Sequence, residues 1–348
     1  MESEEILHLS FNQDRTLLTL GSRTGFKVFK VYPLELIHQE DNGNFKIVEM
    51  YESSLLVSLV GAGEQPAFSP RRLTIWNIAE HTPICETSFP DSLLSVKMNR
   101  IRIVAVISDA IYIYDTTTMK TQNTIRTVEN PKGLAALSPT HSACWLLYPS
   151  SVEKGNLQVY DCFNMQLRTE IEAHTSKLAY IAISYQGNLC ATASEKGTVI
   201  RVFSLPEGNK LFTFKRGLMA AITYSINFSM DAELLLSCSD TGTIHVYNIN
   251  RNEVRESNNW GDAIRNSLFS AASYIVPGSY KDSFETSRSY IVARTNFKIP
   301  YIATLIPNTN MLLAVNYSGH YIMFSVDYVN GGDGIVHQEG SLSRIRMS

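Results

Sequence analysis

The chain has 348 residues, 44% of them hydrophobic, and a formal net charge of −3. That is enough apolar content for a sizeable core, and the charge excludes a global basic field for nucleic acid, so any anion site must be local. Five scattered cysteines without a Cys-x-x-Cys pair fit a reducing compartment and inert thiols. The acidic start Met1-Glu2-Ser3-Glu4-Glu5 is wrong for a signal peptide, and no apolar run reaches membrane-spanning length. Two glycosylation sequons, at Asn227 and Asn316, lie in strand-like runs and are discounted.

In chain order, one phrase recurs: a turn, often with glycine, then a β-rich run closing on an aromatic. It occurs as Thr24–Phe29, Arg72–Trp76, Ala110–Tyr114, Gly155–Tyr160, Gly197–Phe203, Gly242–Tyr247 and Gly319–Phe324. The closing aromatics are spaced by 47, 38, 46, 43, 44 and 77 residues. The first five gaps match a propeller blade of about 40–45 residues. A second apolar run precedes most copies, as in Leu17–Leu20, Ile103–Ile107 and Leu234–Ser237. The expectation is an all-β, seven-bladed β-propeller of degenerate WD-repeat type occupying 1–348 as one unit. A two-domain β-sandwich is the competing arrangement, disfavoured by the regular spacing. No Trp-Asp dipeptide occurs, so core packing rather than the usual polar network should hold the ring.

Two places interrupt the rhythm. Gly61-Ala62-Gly63 resembles the start of a dinucleotide fingerprint but lacks its third glycine and following helix. It reads instead as a loop entering a strand through Pro70, Arg71 and Arg72, which is either a partner contact or a plain hairpin tip. The last gap exceeds a blade by roughly 33 residues, and the excess falls at about 250–289. Trp260, Leu268, Phe269, Tyr274 and Ile275 in it, with Arg265 and Lys281 nearby, suit either a membrane-facing segment or a loop folded back on the propeller flank.

No Walker loop, His-Glu-x-x-His or Gly-x-Ser-x-Gly is present, and the eight histidines show no metal-ligand spacing. An enzyme in the central channel has no residue to recommend it, and neither a cofactor nor a metal is expected. The positive signal is Phe214-Lys215-Arg216-Gly217. Adjacent cations on a strand point to opposite faces, so Lys215 and Arg216 serve two pockets rather than one. The fifth copy adds His174, Ser194, Thr198 and Arg201; the sixth adds Ser237, Ser239, Thr241 and Thr243, with His245 beyond. Cations supply charge and hydroxyls supply orientation for phosphate. Taken singly, the hydroxyls are ordinary turn residues and the histidines ordinary structural ones.

On these residues the chain resembles the PROPPINs, seven-bladed propellers that bind polyphosphoinositides. Phe214-Lys215-Arg216-Gly217 is similar to their Phe/Leu-Arg-Arg-Gly motif, and Ala191–Phe203, Tyr224–Ser229 and Pro70–Trp76 are typical of them. The resemblance implies a non-enzymatic effector that recognises phosphatidylinositol 3-phosphate and the 3,5-bisphosphate through two rim pockets. By position, His174, Ser194, Thr198, Arg201 and Lys215 line the first, and Arg216, Ser239, Thr241 and Thr243 the second. The long loop enters the bilayer between them, and Pro70-Arg71-Arg72 corresponds to a contact with an autophagy lipid-transfer protein. The implied setting is cytoplasmic, peripheral on pre-autophagosomal, endosomal or vacuolar membranes. A propeller scaffold that binds only proteins is the alternative. Lys215 departs from the motif's arginine and lacks its bidentate fork. Leu218-Met219-Ala220-Ala221 is apolar where relatives often carry another basic residue.

Overall fold

The structure, a computed structural model, describes residues 5–140, 143–249 and 286–347. Each repeated phrase forms the third strand of a four-stranded antiparallel unit. Examples are Phe26–Lys30, Val199–Ser204, Thr243–Asn248 and His320–Ser325. The apolar run before it forms the second strand, as in Leu17–Ser22 and Leu234–Ser239, where every residue is buried. Such strands are covered on both faces, so they read as continuous apolar runs rather than as alternation. Outermost strands such as Thr82–Ser88 are mostly exposed and polar.

Among the described residues these units make seven sheets. Their innermost strands (Ile6–Phe11, Phe45–Met50, Ser95–Met98, Ala136–Leu137, Leu178–Ile183, Thr223–Phe228, Tyr301–Leu305) touch in cyclic order, and the last returns to the first. Seven apolar clusters fill the seven spaces between neighbouring blades. One, for instance, packs Val60, Leu73 and Ile75 of blade 2 on Val96, Ile103 and Ala105 of blade 3. The expected seven-bladed propeller is therefore the fold, held by inter-blade packing.

The ring closes without a shared sheet. Blade 1 uses the first four strands, and blade 7 takes its outer strand, Ile335–Ser341, from the C-terminal tail. Closure comes from Leu9, Leu18 and Leu20 packing on Leu313, Tyr321, Met323 and Leu342, and from a bridge between Leu36 and Met347.

Two blades carry a fifth strand that the repeat arithmetic did not anticipate. Thr286–Arg288 runs parallel to Lys210–Lys215 on blade 5, and Gly332–Asp333 runs parallel to Ile291–Arg294 on blade 6. The long insertion lies between the third and fourth strands of blade 6, and its returning end thus lines the outer edge of blade 5.

Candidate functional site at the rim of blades 4 to 6

The outer strand of blade 5, Lys210–Lys215, pairs with Val199–Ser204 so that Arg201 faces Thr213 and Val199 faces Lys215. Thr192 lies opposite Arg201 on the other side. Residues paired across antiparallel strands share a face, as do residues two apart on one strand. Thr192, Arg201, Thr213 and Lys215 therefore occupy one face. That face is turned to blade 4: Arg201 Nη1 donates to Ala173 O at 2.7 Å, and His174 Nε2 lies 3.0 Å from Thr192 Oγ1. The other face carries Phe214, whose ring stacks on Tyr247 of blade 6 at 4.8 Å.

Arg216 follows the strand on the Phe214 side. Its N–H still continues the ladder to Thr198 O at 2.9 Å. Its field reaches His245 and Tyr247 of blade 6: burial first and Arg216 second keep His245 neutral, while burial raises the Tyr247 pKa against the weaker opposing pull of Arg216. The guanidinium itself is anchored, with Nε on Gly197 O at 2.5 Å and Nη2 on Met219 O. Lys215 forms no ion pair among the described residues. The two cations thus back onto opposite spaces, between blades 4 and 5 and between blades 5 and 6.

The remaining residues fall into two groups around them. His174 and Ser194 are buried, and Thr198 and Arg201 are half-buried. His174 in particular is a hydrogen-bonded link between blades 4 and 5. On blade 6, Ser239 is buried with its Oγ 2.9 Å from Thr241 Oγ1, while Thr241 is exposed and Thr243 half-buried. Gly197 closes the second-to-third-strand turn of blade 5 at φ +60, and a Cβ there would meet Ala221 O at 1.9 Å. Only glycine lets the turn approach the next loop so closely.

Two contributors, Arg294 and Arg288, escaped sequence reasoning, as did the place, though not the presence, of His245. His245 occupies in blade 6 the place of Arg201 in blade 5, opposite Ser237 as Arg201 is opposite Thr192. Burial first, then Arg216 and Arg294, lowers its pKa to about 4, and its Nδ1 is buried without a hydrogen-bond partner. Arg294 pairs with Thr243 as Lys215 pairs with Val199, and it makes an ion pair with Asp333 at 3.1 Å. Arg288 lies beside Lys215 in the added strand. The last two follow the long insertion, where the repeat period no longer indicates register.

Elsewhere, Pro70, Arg71 and Arg72 enter the third strand of blade 2. Arg71 is exposed and Arg72 pairs with Glu86 at 3.3 Å. The five cysteines are unpaired and four are buried. His38, Glu40 and His81 bring potential ligand atoms within 4.8 Å of one another. They come from two blades, which is why no spacing revealed them. His81 Nδ1 lies 3.1 Å from Glu40 Oε2. The predicted insertion residues Trp260, Leu268, Phe269, Tyr274 and Ile275 lie outside the described residues.

Fold and site define a seven-bladed propeller of WD-repeat type with cationic and hydroxyl side chains gathered on the rim of blades 4 to 6. The PROPPIN family model matches residues 6–343. Autophagy-related protein 18 of Dictyostelium discoideum is 38% identical over 357 residues, covering 98% of this chain and 94% of that one. WD repeat domain phosphoinositide-interacting protein 2 of Mus musculus is 36% identical over 341 residues, covering 94% and 75%. The chain belongs to the PROPPIN family. Two solved structures share the fold. Kluyveromyces lactis Hsv2 with complete loop 6CD has a TM-score of 0.78 at 19% identity, covering 98% of this chain and all of that one. KlAtg21, solved with the coiled-coil of AgAtg16, has a TM-score of 0.77 at 24% identity, covering 97% and 99%.

Proposed function

We propose that the chain is a peripheral membrane effector of autophagy and endosomal or vacuolar traffic, binding phosphatidylinositol 3-phosphate and the 3,5-bisphosphate at two rim pockets. The observation that carries this reading is that Lys215 and Arg216, at the end of one outer strand, point to opposite sides, Lys215 on the face that carries Thr192 and Thr213 and Arg216 toward His245 and Tyr247 of blade 6. His174, Ser194, Thr198, Arg201 and Lys215 form the first pocket, and Arg216, Ser239, Thr241 and Thr243 the second. The relative in Mus musculus is named for phosphoinositide interaction and the one in Dictyostelium discoideum for autophagy, which supports the same reading.

The protein acts by binding rather than by catalysis. Each headgroup contact is weak alone, and two on one rigid ring gain through effective concentration. The 250–289 segment, with Trp260, Leu268, Phe269, Tyr274 and Ile275, adds a bilayer anchor. The exposed Arg71, with Pro70 and Arg72, is a docking point for an autophagy lipid-transfer protein or related factor, well round the ring from the pockets.

Vesicle flotation tests the central claim. Lys215→Thr combined with Arg216→Thr removes both charge-assisted contacts and should weaken binding to phosphatidylinositol 3-phosphate vesicles by roughly 100-fold or more, with an unaltered circular dichroism spectrum. Binding equal to wild type would refute the site. Wild-type protein that ignores the lipid altogether would favour a scaffold that binds only proteins.

A further inference from the structure

The loop joining blade 5 to blade 6 has an apolar tip that the other described residues leave uncovered. Leu218, Met219 and Ile222 are 83%, 79% and 61% exposed, and Ala220 between them is exposed as well. Scattered exposed apolar residues are ordinary, but three large ones within five positions are not.

The tip is also built rigidly. Arg216 and Gly217 N–H groups both bind Thr198 O, at 2.9 and 3.3 Å, and Ala221 N binds Lys196 O at 3.2 Å. The Arg216 guanidinium clasps Gly197 O on one side and Met219 O on the other. Ile222 exchanges bonds with Asp240, its N–H donating to the carboxylate at 3.1 Å and its carbonyl accepting from Asp240 N–H at 3.1 Å. Ala221 alone turns inward, 5% exposed. The backbone is therefore fixed by both neighbouring blades while the large side chains point away from them.

We propose that Leu218, Met219 and Ile222 form a preordered apolar knuckle that enters the bilayer beside the headgroup pockets. The proposal rests on the lipid-binding reading above and adds a contact that the reading does not contain. Charge argues for a membrane as the occupant. Lys196, Lys215, Arg216 and Arg288 lie next to the tip along the chain or across its backbone pairings, against one carboxylate, Asp240 at Ile222, and an apolar tip with a net cationic surround suits an anionic lipid surface. Size argues the same way. Three side chains fall far short of the ~800 Å² that each partner contributes to a standard protein interface, yet they suffice as one of the several signals that stable membrane attachment needs. Because the knuckle is already ordered, inserting it costs little conformational entropy. Arg216 joins the two functions, since the side chain facing the second pocket also holds the Met219 carbonyl.

The test pairs two variants with two ligands. Leu218→Ser combined with Met219→Ser should fold as wild type, because both side chains are exposed. It should bind phosphatidylcholine vesicles containing phosphatidylinositol 3-phosphate roughly tenfold more weakly or worse, while calorimetry gives soluble inositol 1,3-bisphosphate an affinity within about twofold of wild type. In the L218W variant, the indole emission at that position should shift to the blue on vesicle binding and be quenched by lipids brominated on the acyl chains. Unchanged vesicle affinity in the double variant, or no acyl-chain quenching with L218W, overturns the knuckle while leaving the headgroup pockets standing. A wild-type protein that binds neither vesicles nor the soluble headgroup overturns both. Retained vesicle binding with loss of a protein from the membrane fraction would assign the tip to a protein partner instead.

Discussion

At the scale of single residues, one rim imidazole, that of His245, is kept neutral between Arg216 and Arg294. His245 has its pKa lowered to about 4 by burial and by Arg216 and Arg294. His8, near the channel, is lowered to about 4 as well, with burial the main cause. In the unfolded chain each returns to about 6.5. Between those values the unfolded state binds more protons than the folded one. The stability each neutral histidine supplies is therefore complete above pH 6.5 and is lost as the pH falls toward 4. By pH 5 the loss is on the order of 1–2 kcal/mol per site. The thermal midpoint should fall between pH 7.5 and 5, and His245→Gln should flatten that slope. Parallel curves for wild type and variant would remove His245 as a cause. The position also shows where a sequence is silent. His245 was visible as a residue after the sixth glycine turn, but its equivalence to Arg201 is a fact of strand register.

At the scale of elements, legibility depended on the repeat. Lys215 and Arg216 could be sent to opposite faces from sequence because strand alternation is a rule of backbone geometry. The glycine turns and closing aromatics marked third strands because these alternate buried with half-buried positions after a tight turn, while the second strands, buried throughout, read as apolar runs just before them. The rule gave no purchase on Arg288 and Arg294, which lie beyond an insertion that resets the count. Nor did it separate His174 as a blade-to-blade link from His174 as a ligand, because a hydrogen bond to Thr192 depends on how two blades meet. The turn at Gly197 is the element that couples these levels. Its carbonyl accepts Arg216, and its missing side chain lets Ala221 close in. Gly197→Ala should force the turn and the knuckle apart. It should cost at least about 1 kcal/mol for the left-handed backbone alone, and it should weaken vesicle binding with it. At Gly242 in blade 6, also left-handed at φ +70, the nearest atom to a Cβ is Phe297 O at 3.1 Å, so Gly242→Ala should be the milder change. Equal losses of thermal midpoint in the two variants would show that close approach to the loop is not what distinguishes Gly197.

At the scale of the whole molecule, seven blades are worth little unless the seventh meets the first. The two proposed pockets would help each other only while they keep a fixed separation on one rigid body, and an opened ring would relax all its inter-blade spaces. Here no sheet crosses the seam, so closure rests on side-chain packing and the single backbone bridge between Leu36 and Met347. Leu342 is 3% exposed and packs within the cluster that joins the two blades, with Ile345 beside it and Met347 bridging to Leu36. Leu342→Ala should cost about 2–5 kcal/mol as a buried leucine truncation. If the seam is the weakest joint, the cost will be local before it is global. Amide exchange should then quicken first in Ile6–Phe11 and His320–Ser325, the strands either side of the seam, while Val199–Ser204 in blade 5 keeps its protection. Removing residues 342–347 should deepen the same pattern. Uniform acceleration in every blade would mean instead that the ring unfolds as one cooperative unit, with closure shared among all seven apolar clusters rather than concentrated at the junction of blades 7 and 1.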